Sequence, residues 1–248
     1  MANQTVIHRA FAPLKALTPG FLWKPVRCLA TSVLTPLWFS YRTGHWRSSF
    51  RMAAVDRHGE PLPWYTYPCI HFLAGRDFRD LTVLEFGAGQ STIWWGRRAA
   101  RVVAFEGDTD WYKQLLPRVG DNVRLFPASM DSAEACGESV RRAVREHGLG
   151  PFDVVVIDGL HRYGMIRPAL ELRSPGGVVI VDNAEGYDMH AGFAGSGLER
   201  VDFYGHAPGV LLPHCTSIFF APFASMCPSR RQTKSATMST RSVQLARK

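Results

Sequence analysis

From residue 81 onward, short runs of apolar residues alternate with longer stretches in which apolar positions recur every three or four residues. Val83, Leu84 and Phe86 form the first run, Gly87 and Gly89 break it, and Ser91 or Thr92 is placed to cap the next element. A strand, a tight glycine turn and a helix over 93–100 are predicted there. The same alternation predicts strands over 101–105, 123–126, 152–157 and 177–181, separated by helices over 111–119, 133–147 and 163–172. A strand such as 152–157, apolar at nearly every position, is buried on both faces, which requires a parallel sheet covered by helices. The fold class is therefore α/β, doubly wound and mostly parallel. Its ligands belong at the carboxyl ends of the strands, near the point where the strand order reverses.

Residues 1–51 break this regularity. Apolar clusters at 21–23 and 34–39 are punctuated by Pro13, Pro19, Pro25 and Pro36, which predicts short helical pieces rather than one long helix. The plain expectation is a basic extension packed on the main domain. A membrane-surface segment, making weak contact with lipid, or a substrate lid is the sharper one. Residues 226–248, rich in Ser, Thr and Arg with few large apolar groups, read as a disordered basic tail. The main domain is then 52–225.

Charge changes the picture only at the ends. The formal net charge of +8 suggests a nucleic-acid partner until it is divided: residues 1–51 hold seven Lys or Arg and 226–248 hold six, with no acid in either. The remaining 16 bases face all 21 acids, so the main domain is mildly acidic and no nucleic acid is expected. The five cysteines (Cys28, Cys69, Cys136, Cys215, Cys227) are scattered and form no C-x-x-C, which fits reduced thiols in a cytoplasmic protein. The longest uncharged run among the N-terminal residues, 28–41, has 14 residues and contains Pro36. A bilayer span needs about 20.

Every predicted strand end carries an acid, and most carry more than one polar group. The first reads Glu85-Phe86-Gly87-Ala88-Gly89, the second Glu106-Gly107-Asp108, the third Ser129-Met130-Asp131, the fourth Asp158-Gly159-Leu160-His161, the fifth Asp182-Asn183. Helix capping explains one or two of these; five in succession point to a shared ligand site. Glu106 lies 19 residues after Gly87, the place of an acid that accepts hydrogen bonds from ribose hydroxyls, as in NAD or S-adenosylmethionine enzymes. Thr92 stands where a dinucleotide fingerprint wants a small residue, and Glu85 is poorly placed for a pyrophosphate but suits an ammonium and a sulfonium.

This array resembles the class I S-adenosylmethionine-dependent methyltransferases over about residues 60–222. The resemblance implies the Rossmann-like fold of that family: a seven-stranded sheet with further strands at 198–204 and 217–221, the last antiparallel. It implies S-adenosylmethionine held by Glu85, Gly87, Gly89, Ser91, Glu106, Met130 and Asp131. The fourth and fifth strand ends are similar to those of metal-dependent O-methyltransferases of the catechol and macrolide-sugar type. By that similarity Asp158, Asp182 and Asn183 are ligands of a magnesium ion, and His161 is the general base, with Asp158 catalytic beside it. The plainer readings stand alongside: Asp182-Asn183 as a loop turn, His161 as the start of a helix. The expected acceptor is a small-molecule hydroxyl; Tyr187 and His190, on a glycine-rich loop that follows the fifth strand, are placed to touch it, with a plain surface loop as the alternative reading. A cofactor-binding protein without transferase activity and an NAD-dependent oxidoreductase are the alternatives. Nothing in the residue pattern fixes an oligomeric state.

Overall fold

The computed structural model describes residues 12, 15–16, 18–129, 131–186 and 188–222. The sequence-based reading of a tail over 226–248, and of Met130 and Tyr187 as binding residues, lies outside these.

Helix α1 (Gly20–Thr43) turns at Gly44 into α2 (His45–Arg51), and α3 (Tyr67–Ala74) precedes the sheet. Next come β1 (Thr82–Phe86), α4 (Gln90–Gly96), β2 (Arg101–Glu106), α5 (Thr109–Leu115), β3 (Val123–Pro127), α6 (Ala133–Glu146) and β4 (Phe152–Ile157). The chain closes with α7 (Ile166–Leu172), β5 (Arg173–Asp182), the short α8 (Met189–Gly192), β6 (Glu199–Gly205) and β7 (His214–Phe220). Single turns of 3-10 helix follow α5 (Leu116–Arg118) and precede α7 (Arg162–Met165).

The seven strands lie in the order β3-β2-β1-β4-β5-β7-β6. β1 to β5 pair in parallel, whereas β7 is antiparallel to both β5 and β6. This is the doubly wound, mostly parallel seven-stranded sheet expected from the apolar runs, with the last strand reversed. Successive residues of each strand serve opposite faces. Leu84, Val103, Val155 and Val179 pack under α6 and α7 with Val140, Val144 and Ile166. Val83, Val102, Val154 and Ile180 pack on the other side against Ile70, Leu73, Trp94 and Trp95 from α3 and α4. The order reverses between β1 and β4, and a crevice opens at their carboxyl ends.

Two expectations fail. Helix α4 begins at Gln90, not at 93, because Thr92 caps from inside the first turn: the Gly89 N–H donates to its Oγ1 at 2.9 Å. Residues 20–43 form one continuous helix despite Pro25 and Pro36, and none of its residues is buried. Each proline removes one helical hydrogen bond, but Arg27, Leu29, Ala30 and Leu34 between them favour the helix enough to carry it through. Residues 20–43 of the extension are therefore not packed on the domain along their length. Among the described residues no helix is long and apolar enough to cross a membrane.

Candidate active site

The glycine turn is shaped by the strand beside it. Gly87 has φ +90°, and a β-carbon there would stand 2.7 Å from the backbone oxygen of Asp158. Gly159 (φ +79°) faces it, its own missing β-carbon 3.0 Å from the α-carbon of Gly87. A side chain at Gly87 would prise β1 from β4, and one at Gly159 would press on Gly87 from a left-handed backbone conformation. The Gly87 N–H donates to the Phe105 carbonyl and the Asp158 N–H to that of Phe86, both at 2.9 Å, so the turn is tied to the ends of β2 and β4.

Glu85 lies beneath this turn rather than on the ligand's side of it. It is fully buried, and Thr92 Oγ1 donates to its Oε2 at 2.5 Å, extending a chain of hydrogen bonds that starts at the Gly89 N–H. Its Oε1 is buried without a partner. Burial pushes the Glu85 carboxyl up to about 8, against the hydrogen bonds from Ser91 and Thr92 that pull it down. At neutral pH it is mostly protonated, which removes the carboxylate that was to face an ammonium group.

Above the turn a cavity of about 220 Å³ opens at the ends of β1, β2 and β4. Of the residues assigned to the cofactor, Gly87, Gly89, Ser91 and Glu106 line it. Glu85 and Asp131 do not; the Asp131 carboxylate accepts from Ser129 Oγ at 3.0 Å instead. Glu106 is held rigidly. Its Oε2 accepts from the Ala88 N–H at 3.1 Å and its Oε1 from the Asp108 N–H at 2.8 Å. Partial burial raises its pKa, while those backbone bonds lower it.

The sequence reading missed most of the apolar wall: Phe105, Trp111, Ala128, Cys136 and Leu160, with Met52 at the rim. Trp111 is turned into the site by two bonds. Its backbone N–H donates to Asp108, the cap of α5, and its indole N–H donates to the Ala88 carbonyl at 2.8 Å. An aromatic residue in the first turn of the helix after Glu106 was the available signal. Trp64, ahead of α3, also reaches the wall.

At the fourth and fifth strand ends Asp158, Asp182 and Asn183 do converge, but on Arg162. The guanidinium donates to Asp158 Oδ1 at 2.8 Å, to Asn183 Oδ1 at 2.7 Å and to the Asp182 carbonyl at 2.5 Å, and its Nε donates to the Gly159 carbonyl at 2.9 Å. Asp182, nearly buried, also accepts from Thr216 Oγ1 at 2.9 Å and lies 3.4 Å from His214 Nε2. Burial works against a charge on His214, but Asp182 and Glu185 outweigh it and raise its pKa. The guanidinium occupies two of the side-chain oxygens meant for magnesium, those of Asp158 and Asn183, and stands 3.9 Å from the Asp182 carboxylate, so a divalent ion there would be repelled by it. The residues present do not fit that ion. Among the described residues no cluster of three or more His, Cys, Asp or Glu suits a metal.

Asp158 lines the cavity and His161 does not. His161 sits in the left-handed region (φ 59°) at the start of the 3-10 turn. Burial and the neighbouring Asp182 raise the Asp158 pKa, against the pull of Arg162. His190, on α8, lies 3.9 Å from Asp202 and off the cavity wall.

No family model and no curated protein matches the chain. Among solved structures, a precorrin-6y C5,15-methyltransferase from Geobacter metallireducens matches with 15% identity and a TM-score of 0.49, over 62% of this chain and 87% of that one. A precorrin 8w decarboxylase from Methanobacterium thermoautotrophicum matches with 16% identity and a TM-score of 0.43, over 62% and 88%. A tRNA methyltransferase from Aquifex aeolicus matches with 18% identity and a TM-score of 0.42, over 65% and 71%.

Proposed function

We propose that this chain is an S-adenosylmethionine-dependent methyltransferase acting on a hydroxyl of a small molecule, without a metal ion. One observation carries the reading: the Glu106 carboxylate is fixed on the cavity wall by two backbone N–H groups, beside a glycine turn that admits no side chain at Gly87. Ala88 and Asp108 leave lone pairs on both oxygens, enough to accept the two hydroxyls of a ribose. The turn at 87–89 presents backbone, so the amino-acid end of the ligand can approach closely. Phe105, Trp111 and Leu160 offer an apolar slot suited to an adenine ring.

When bound, S-adenosylmethionine supplies an electrophilic methyl group on a sulfonium sulfur. The chain's own contribution is orientation and one proton. Among the described lining residues the carboxylates are Glu106 and Asp158, and Glu106 is committed to the ribose. Asp158, with its pKa raised by burial, can hold the proton that an acceptor hydroxyl releases. His161, off the wall, has no part in this path.

Isothermal titration of the full chain with S-adenosylmethionine and with NADH tests the reading. Binding of the first and not the second is expected; the reverse would overturn it. Transfer of a labelled methyl group to hydroxylated metabolites in the presence of EDTA tests the acceptor class, and transfer only to amines would remove the oxygen acceptor.

A further inference from the structure

Helix α1 is amphipathic, and none of its residues is buried. Leu22, Leu29, Val33 and Leu37 fall on one line along it, spaced for a single face of a helix turning 100° per residue. All four are exposed, Leu29 at 68% and Leu37 at 62%. Lys24, Thr31, Thr35 and Arg42 fall on the opposite line, with Arg27 and the exposed Trp38 beside them, the Arg42 guanidinium over the Trp38 ring. Trp23 and Tyr41 run along one edge of the apolar line, and the exposed Phe21 lies on the other.

The helix is held firmly at one end. Gly44 (φ +77°) makes the turn into α2, and a β-carbon there would strike the backbone of Asp56 at 2.2 Å. Phe39 meets Tyr67 edge-on with ring centroids 5.3 Å apart. Beyond the turn, the buried Ser48 of α2 bonds to both the N–H and the carbonyl of Val55. From this anchor α1 extends 24 residues without burying one of them. Leaving so much apolar surface in water is unfavourable unless something covers it.

We infer that α1 lies in the plane of an anionic lipid bilayer surface, its Leu22–Leu29–Val33–Leu37 face among the acyl chains and its Lys and Arg residues at the headgroups. Charge selects this occupant over a second copy of the chain. The first 51 residues hold seven Lys or Arg and no acid, so two copies of this segment repel each other while acidic headgroups attract both. Trp and Tyr at the edge of the apolar face suit the boundary between headgroup and chain. The length and polarity of α1 fit lying on a bilayer and not crossing it. This inference stands apart from the methyl-transfer reading and survives its failure.

Vesicle co-sedimentation of the full chain is the test, with phosphatidylcholine alone and with phosphatidylcholine mixed with phosphatidylglycerol. Binding to the mixed vesicles is expected, weakened by salt and at least about tenfold weaker on phosphatidylcholine alone. Leu29→Asp with Leu37→Asp should abolish it, and Lys24→Glu with Arg27→Glu should lower it about tenfold or more. Both pairs lie on exposed positions, and an unchanged melting temperature verifies that the domain is intact. Failure to bind the mixed vesicles, binding indifferent to both pairs, or a dimer in light scattering that Leu37→Asp dissociates would each overturn the inference.

Discussion

Gly87 and Gly159 meet backbone to backbone where β1 and β4 end, and the Asp158–Gly159 backbone leaves Gly87 no room for a side chain. One belongs to the glycine turn and the other follows Asp158. The contact joins the strand end that faces the ligand to the strand end that supplies the acid on the cavity wall.

Gly87→Ala should therefore damage both stability and binding. The new β-carbon would lie 2.7 Å from a backbone oxygen that cannot swing aside, in a conformation with φ +90°. Strain and overpacking together should cost about 3 kcal/mol. Urea denaturation measures the first loss and titration with S-adenosylmethionine the second; a variant as stable as the parent would mean that the two strand ends part easily.

Glu106→Ala separates the ribose role from a structural one. Removing hydrogen bonds to a charged group should weaken binding of S-adenosylmethionine by about 1.5–3 kcal/mol, roughly ten- to a hundredfold. The loop bonds from Ala88 and Asp108 are lost as well, so an unchanged far-ultraviolet circular dichroism spectrum is the control. Undiminished affinity in a folded variant would take Glu106 out of the site.

The strands were legible because burial on both faces leaves a nearly unbroken apolar run, as in Phe152–Ile157, where Asp153 alone interrupts it. The acids at the strand ends were legible for the converse reason: charge directly after such a run has to serve some purpose. Their partners were not. Arg162, four residues after Asp158, looks in sequence like an ordinary surface base, and only the fold brings Asn183 and the Asp182 carbonyl to its other nitrogens. Glu85 likewise reads as a ligand group until the turn is seen to lie over it. In α1 the prolines read as breakers, although a helix that buries nothing has no tertiary packing for them to disturb.

The buried Glu85 should make stability depend on pH in an unusual direction. Its carboxyl titrates at about 8 in the folded chain, well above its ordinary value of 4.5. Between those two values the folded state holds a proton that the unfolded state has released, so stability falls as pH rises. The contribution is complete below about pH 4.5 and gone above about pH 8. Glu85→Gln, which cannot ionise, should flatten that decline and be the more stable protein at pH 9, by up to a few kcal/mol. Denaturation at pH 5, 7 and 9, about two units apart, gives the comparison; a parent chain that gains stability over this range relative to the variant would contradict the assignment.

Arg162 should make the site indifferent to divalent ions and costly to empty. Manganese titrated into the full chain and followed by electron paramagnetic resonance should show no site that Asp182→Asn removes, and methyl transfer should be unchanged by EDTA. Arg162→Ala leaves Asp158 and Asp182 facing each other without the cation between them. Breaking a part-buried ion pair in this way costs about 3–5 kcal/mol, measurable as a fall in melting temperature. Added manganese should partly restore that loss, because three oxygens would then converge on an emptied position. A parent chain that binds manganese at Asp182 would mean that Arg162 swings out and that the magnesium reading had been right.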